Sequence, residues 1–147
     1  MSTVADLCCE PAVTILPSAP LAAGLALLVS HRAAALYVVD AGGRLLGVVP
    51  DFALLQARCN GSWHEATIEQ VMSPQVTCFS NETSQAEVLK AFRESQHSRA
   101  AILEEGRLIG QITRMTVLRS MCSDAVPTLP RPKFLRSELS RNALTLR

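Results

Sequence analysis

"GRLLG", Gly43–Gly47, returns as "GRLIG" at Gly106–Gly110, 63 residues further along the chain. A second pair keeps the same interval: "EPAVT" at Glu10–Thr14 and "SPQVT" at Ser73–Thr77. Two matched pairs at one spacing mark an internal duplication, one structural unit written twice. The residues around each pair say what that unit is.

In the first copy "AVTIL", 12–16, is a short β-type run, and Pro17-Ser18-Ala19-Pro20 is a turn that places Pro to open a helix. "LAAGLALLVSHR", 21–32, is helical by length and by its Ala and Leu content. "ALYVVD" reads as a buried strand, "AGG" as a turn and "RLLGVV" as a second strand. "PDFALLQAR" returns to helix. The second copy repeats the order. "QVTCF" is the strand, and Ser84 with Glu87 forms an S-x-x-E capping signal before "AEVLKAFRES". "AAILEEGRLIGQI" is a hairpin around Glu105-Gly106, one residue tighter than its counterpart, and Thr113 stands where the helix "RMTVLRSM" begins. Between the copies, "CNGSWHEATIEQVMSP" holds a turn at Asn60-Gly61 and a short amphipathic helix.

The order is therefore β-α-β-β-α, twice, and the fold class is mixed α/β (α+β). The predicted organisation is repeat 1 over 1–58, a linker with a short helix over 59–70, repeat 2 over 71–122, and a tail over 123–147. A lone copy of roughly 45–50 residues makes a marginal core. Packing the two copies sheet to sheet, with pseudo-two-fold symmetry, buries "LYVV" and "AAIL".

Composition agrees and excludes several functions. Of the 147 residues 48% are hydrophobic but only 4% aromatic, so the core is built from Ala, Leu, Val and Ile. A net charge of +1 points to neither nucleic acid nor a membrane surface. The longest apolar-looking run, 19–29, has 11 residues, well short of the ~20 that a membrane-spanning helix needs. The N-terminus carries Asp6 and Glu10 and no basic residue before an apolar core, so no signal peptide is read. Five cysteines, at 8, 9, 59, 78 and 122, include no C-x-x-C pair and fit reduced thiols in a cytoplasmic chain. Cys8 and Cys9 lack companion ligands nearby, so no metal is expected. Neither a Ser/His/Asp order nor a paired-carboxylate frame nor a phosphate-binding Gly loop stands out, and the chain is read as a non-enzyme.

"VMSPQVT", a helix, "HSRAAIL" and "GRLIGQIT" followed by a helix together resemble a cystathionine-β-synthase (CBS) domain. "EPAVTILPSAPLAAGLALLVSHRAAALYVVDAGGRLLGVV" resembles another. The whole, over about residues 7–122, is similar to a tandem CBS pair, or Bateman module. That resemblance implies a regulatory module that binds AMP, ADP, ATP or S-adenosylmethionine between its copies. It further implies a disc-like homodimer and control of a separate or attached protein partner.

The family's ligand motif is G-h-h-T-x-x-D, where Thr and backbone amides at a helix start suit phosphate and the Asp takes ribose hydroxyls. In copy one, "GVVPDFA", Pro50 replaces the Thr and Ala53 the Asp. Pro50 offers neither hydroxyl nor N–H. Asp51 is expected to turn its side chain elsewhere, and its charge opposes phosphate. In copy two, "GQITRMT", Thr113 keeps its place and Thr116 replaces the Asp. A Thr hydroxyl cannot make the paired acceptor contacts of a carboxylate. Arg99 matches a position often basic in the family, and Arg114 adds a cation beside the helix start; both could reach a phosphate, or either could simply be a surface residue. A cleft site would add Ser73, Val76, Thr77, Ala100 and Ala101. Copy two is thus the predicted ligand site. The competing expectation is a structural dimerisation or interaction module that has lost nucleotide binding. Thr113 serves equally as an ordinary helix N-cap, and Ala100 and Ala101 serve equally as core packing.

The tail, 123–147, holds three prolines and five basic residues against two acidic ones, and suggests a docking segment or a loose terminus. No aromatic stacking pattern supports nucleic-acid binding.

Overall fold

The computed structural model describes residues 3–4, 9–95 and 97–125, with side chains through 121. Most of the predicted tail, together with Cys8, lies outside the described residues.

The elements run β1 (Thr14–Ile15), α1 (Leu21–His31), β2 (Ala35–Val39), β3 (Leu45–Pro50) and α2 (Asp51–Cys59), then α3 (Ile68–Val71). The second repeat follows as β4 (Cys78–Ser80), α4 (Gln85–Glu94), β5 (Arg99–Glu104), β6 (Arg107–Thr113) and α5 (Arg114–Ala125). Each repeat forms a three-stranded sheet, ordered β1-β2-β3 and β4-β5-β6. In both, the first pair is parallel and the second is an antiparallel hairpin. The mixed α+β, two-repeat fold expected from the sequence is the fold observed.

Each sheet packs its own helices on one face. Leu36, Val38 and Val49 join Leu21, Leu28, Leu54 and Ile68 in the first core. Ala100, Ile102 and Ile112 join Val4, Val88 and Val117 in the second. Tyr37 and Val39 point the other way along β2 and are buried too, so every residue of β2 is covered. That double burial explains why "ALYVV" is a continuous apolar run rather than an alternating one.

The repeats are joined by a reciprocal exchange of backbone. Ser73, near the start of the second repeat, pairs with Val48 of β3, with N···O distances of 2.8 and 2.9 Å. Glu10, just ahead of the first, pairs with Gln111 of β6 at 2.9 Å in both directions. This exchange shortens the first strands. Residues 12–13 and 75–77, predicted as strand, lead from the partner repeat's edge, and only Thr14–Ile15 and Cys78–Ser80 form ladders.

The glycines of the repeated motif now have separate reasons. Gly43 and Gly106 adopt φ of 83° and 81° in the hairpin turns, where an L side chain is strained. Glu105 shares the positive φ, at 51°, which gives the tighter turn its primed geometry. In the longer turn Asp40 Oδ1 accepts from Gly42 N and Arg44 N, each at 2.9 Å. The closing glycines stand at the crossings. A Cβ on Gly47 would lie 2.7 Å from the Ser73 carbonyl oxygen, and one on Gly110 3.1 Å from that of Glu10.

Helix starts partly follow the expected chemistry. Ser84 Oγ accepts from Glu87 N at 3.3 Å and caps α4. A reach-back that the sequence reading missed opens α3, where Thr67 N donates to Gln70 Oε1 at 3.1 Å.

Candidate functional site between the repeats

A cleft of about 250 Å³ opens where the start of β2 and the β3–α2 junction face the leading segment of β4 and the start of β5. Repeat one contributes Ala34, Ala35, Tyr37, Val48, Pro50 and Asp51; repeat two contributes Gln75, Val76, Thr77, His97, Ser98 and Arg99.

Tyr37 is 1% exposed, and its buried hydroxyl has no hydrogen-bond partner among the described residues. Burial pushes its pKa up to about 12, against a smaller opposing pull from the Arg99 guanidinium. Arg99 itself is half-buried and forms no salt bridge among the described residues. An orphaned phenol beside an unpaired guanidinium is unusual, because buried polar groups are almost always satisfied.

The start of α2 forms part of the opposite wall. Pro50 has no N–H. Asp51 N donates to Ala34 O at 2.9 Å, and Phe52 N donates to Asp51 Oδ1 at 2.7 Å. The first two amides of this helix are therefore already taken, one of them by a carboxylate. Asp51 lines this cleft and also the groove between α1 and α2.

The start of α5 is a second, separate cluster. Arg114 N donates to Ser98 O at 3.1 Å, and Thr116 N donates to Thr113 Oγ1 at 3.2 Å. The Thr113 and Thr116 hydroxyls lie 3.1 Å apart, and Thr116 Oγ1 donates to Glu10 Oε1 at 3.2 Å. Thr116 is 6% exposed, so the network satisfies a buried hydroxyl. Arg114 Nε donates to His97 O at 3.1 Å.

The predicted site residues thus divide. Val76, Thr77 and Arg99 meet in the cleft with the first repeat's helix start. Thr113, Arg114 and Thr116 gather at α5 and are not among the cleft's lining. Ser73 holds the crossing through its backbone. Ala100 packs in the second core, and the fully buried Ala101 donates its N–H to Thr77 O at 2.9 Å. Tyr37, Asp51, His97 and Ser98 were not predicted. For Tyr37 a signal existed: alternation along β2 sets it on the face opposite Leu36 and Val38. Among the described residues, no group of three or more His, Cys, Asp or Glu could hold a metal ion, and no helix is long and apolar enough to cross a membrane.

Two β-α-β-β-α units that exchange backbone and enclose a cleft define a duplicated α+β module. The CBS domain family model matches residues 4–60 and again 68–123, and the chain belongs to that family. Among solved structures, CBSX2 in complex with AMP has a TM-score of 0.74 and 25% identity, covering 85% of this chain and 99% of that one; a CBSX2 structure is from Arabidopsis thaliana. A CBS domain-containing protein of unknown function from Bacillus anthracis shows 0.74 and 22%, over 82% of this chain and 93% of that one. The CBS domain pair of MJ0100, in complex with 5′-methylthioadenosine and S-adenosylmethionine, shows 0.69 and 20%, over 82% and 99%. No curated protein sequence matches the chain.

Proposed function

We propose that this chain is a regulatory CBS pair, acting in the cytoplasm without catalysis of its own, that senses an adenosine-containing ligand in the cleft between its repeats and modulates a protein partner. The observation that carries this is the composition of the cleft: both repeats supply walls, and the buried Tyr37 hydroxyl has no hydrogen-bond partner among the described residues. The AMP bound by CBSX2, at 25% identity, supports the ligand class. A ligand that touches both repeats favours one relative arrangement of the two, and a partner responds to that population shift. AMP, ADP, ATP and S-adenosylmethionine are the compounds to test. A ligand at 100 times its Kd adds about 2.7 kcal/mol of stability, a shift readily seen in a thermal melt. Absence of a shift with all four at millimolar concentration would sink the sensing role.

The module is proposed to act as a homodimer. A groove of about 830 Å³ between α1 and α2 exposes Leu25, Val29, Phe52 and Leu55. The second repeat exposes Leu89 on α4 with Met115, Leu118 and Met121 on α5. Apolar faces this extensive mark interaction surfaces, and a second copy presents the same pair of faces, as an isologous two-fold contact requires.

A purely structural interaction module is the second reading. It is favoured by the α5 cluster, where Thr113, Thr116 and Glu10 satisfy one another and leave the family's ligand motif engaged internally.

A further inference from the structure

We infer that the cleft selects an adenosine-type ligand without a phosphate, neutral or cationic, over a nucleotide; this rests on the sensing role proposed above. A phosphate at a helix start needs unpaired amides and a positive end. At α2 Pro50 supplies no N–H, Asp51 N is bound to Ala34 O, and Phe52 N is bound to the Asp51 carboxylate at 2.7 Å. The position an anion would occupy is held by an anion belonging to the protein. At α5, outside this cleft, the Glu10 carboxylate accepts from the Thr116 hydroxyl rather than from an amide. The first two amides of α2, the helix start that lines the cleft, are therefore not vacant for a phosphate.

What the cleft does offer is hydrogen bonding suited to a nucleoside. Asp51 supplies a carboxylate of the kind that accepts from ribose hydroxyls. The orphaned Tyr37 hydroxyl, 1% exposed, needs a partner that a base or sugar atom can provide. Arg99 lies on the repeat-two wall, beside Tyr37, and its N–H groups are donors for ring-nitrogen or ribose oxygen acceptors.

Isothermal titration of the full chain with adenosine, 5′-methylthioadenosine, AMP and ATP tests this. The expected result is at least tenfold tighter binding of adenosine or 5′-methylthioadenosine than of AMP or ATP. Asp51→Thr, which removes the charge and keeps a capping hydroxyl, should close that gap at least fivefold by strengthening AMP. Tyr37→Phe should weaken the nucleosides with the fold intact by circular dichroism. AMP or ATP binding as tightly as adenosine overturns the selectivity while leaving the sensing role standing. Binding of none of the four overturns the selectivity, and silence of ADP and S-adenosylmethionine as well overturns the sensing role.

Discussion

The hydroxyl of Thr116, on α5 of the second repeat, donates a hydrogen bond to the carboxylate of Glu10, ahead of the first, at 3.2 Å. These residues are 106 positions apart in the chain. They meet because Glu10 pairs its backbone with Gln111 on β6, which aims its side chain at the start of α5. Thr116→Val removes the donor and leaves a half-buried carboxylate short of a partner. It should cost about 1–2 kcal/mol, read as a lower denaturation midpoint in urea at unchanged m-value. Glu10→Gln keeps an acceptor and should cost less. Equal stability of Thr116→Val and the parent would mean the network contributes nothing net.

The repeated glycines should fail in different ways. Gly47→Ala sets a Cβ 2.7 Å from the Ser73 carbonyl oxygen, a backbone atom that moves only if the crossing opens. A loss of about 1–3 kcal/mol is expected, as for overpacked sites. Gly110→Ala meets the Glu10 carbonyl oxygen at 3.1 Å and should cost less. Gly43→Ala meets nothing within 4 Å, and its cost is conformational, about 1–2 kcal/mol for φ near 83°. Thermal melts of the three variants should rank Gly47→Ala below Gly110→Ala, and the order reversed would contradict the crossing geometry.

Tyr37→Phe removes a buried hydroxyl that has no hydrogen-bond partner among the described residues, so at neutral pH the ligand-free variant should match or exceed the parent in stability. The two should diverge in alkali. Folding raises the phenol from 10.0 to about 12, so the folded state keeps a proton that the unfolded chain releases. The stabilisation is complete below pH 10 and is lost as pH rises towards about 12. At pH 11 the parent should have fallen by about 1.4 kcal/mol relative to Tyr37→Phe. Parallel pH profiles would show that the phenol titrates normally.

Leu55→Glu places a charge on the exposed groove between α1 and α2, where Leu55 is 66% accessible in the single chain. If that face joins two copies, the variant should elute and sediment at half the parent's mass with its circular dichroism unchanged. A parent that is monomeric at tens of micromolar would rule out the proposed dimer.

Much of the fold was legible because it is local. Pro at 17 and 20, the apolar run "ALYVV" and the Glu105-Gly106 turn each act through near neighbours, and the duplication supplied every signal twice. The first strands were read too long for a non-local reason: residues 12–13 and 75–77 look β-like but lead away from the other repeat's sheet edge. The site was legible only in part. Val76, Thr77 and Arg99 line the cleft, whereas Thr113, Arg114 and Thr116 gather at the start of α5 and do not line it. The exchange of backbone between repeats sets Arg99 facing Pro50 and Asp51.

From its residues alone this chain specifies two copies of one unit, their order of strands and helices, the hairpin turns and the family to which they belong, because each rests on backbone propensity and apolar periodicity over short spans. Tertiary structure decided what each closing glycine is for, which carboxylate sits at which helix start, and that a tyrosine is buried with its hydroxyl unpaired. Those properties depend on contacts between residues far apart in the chain, such as Glu10 with Thr116 and Gly47 with Ser73, and no local pattern encodes them.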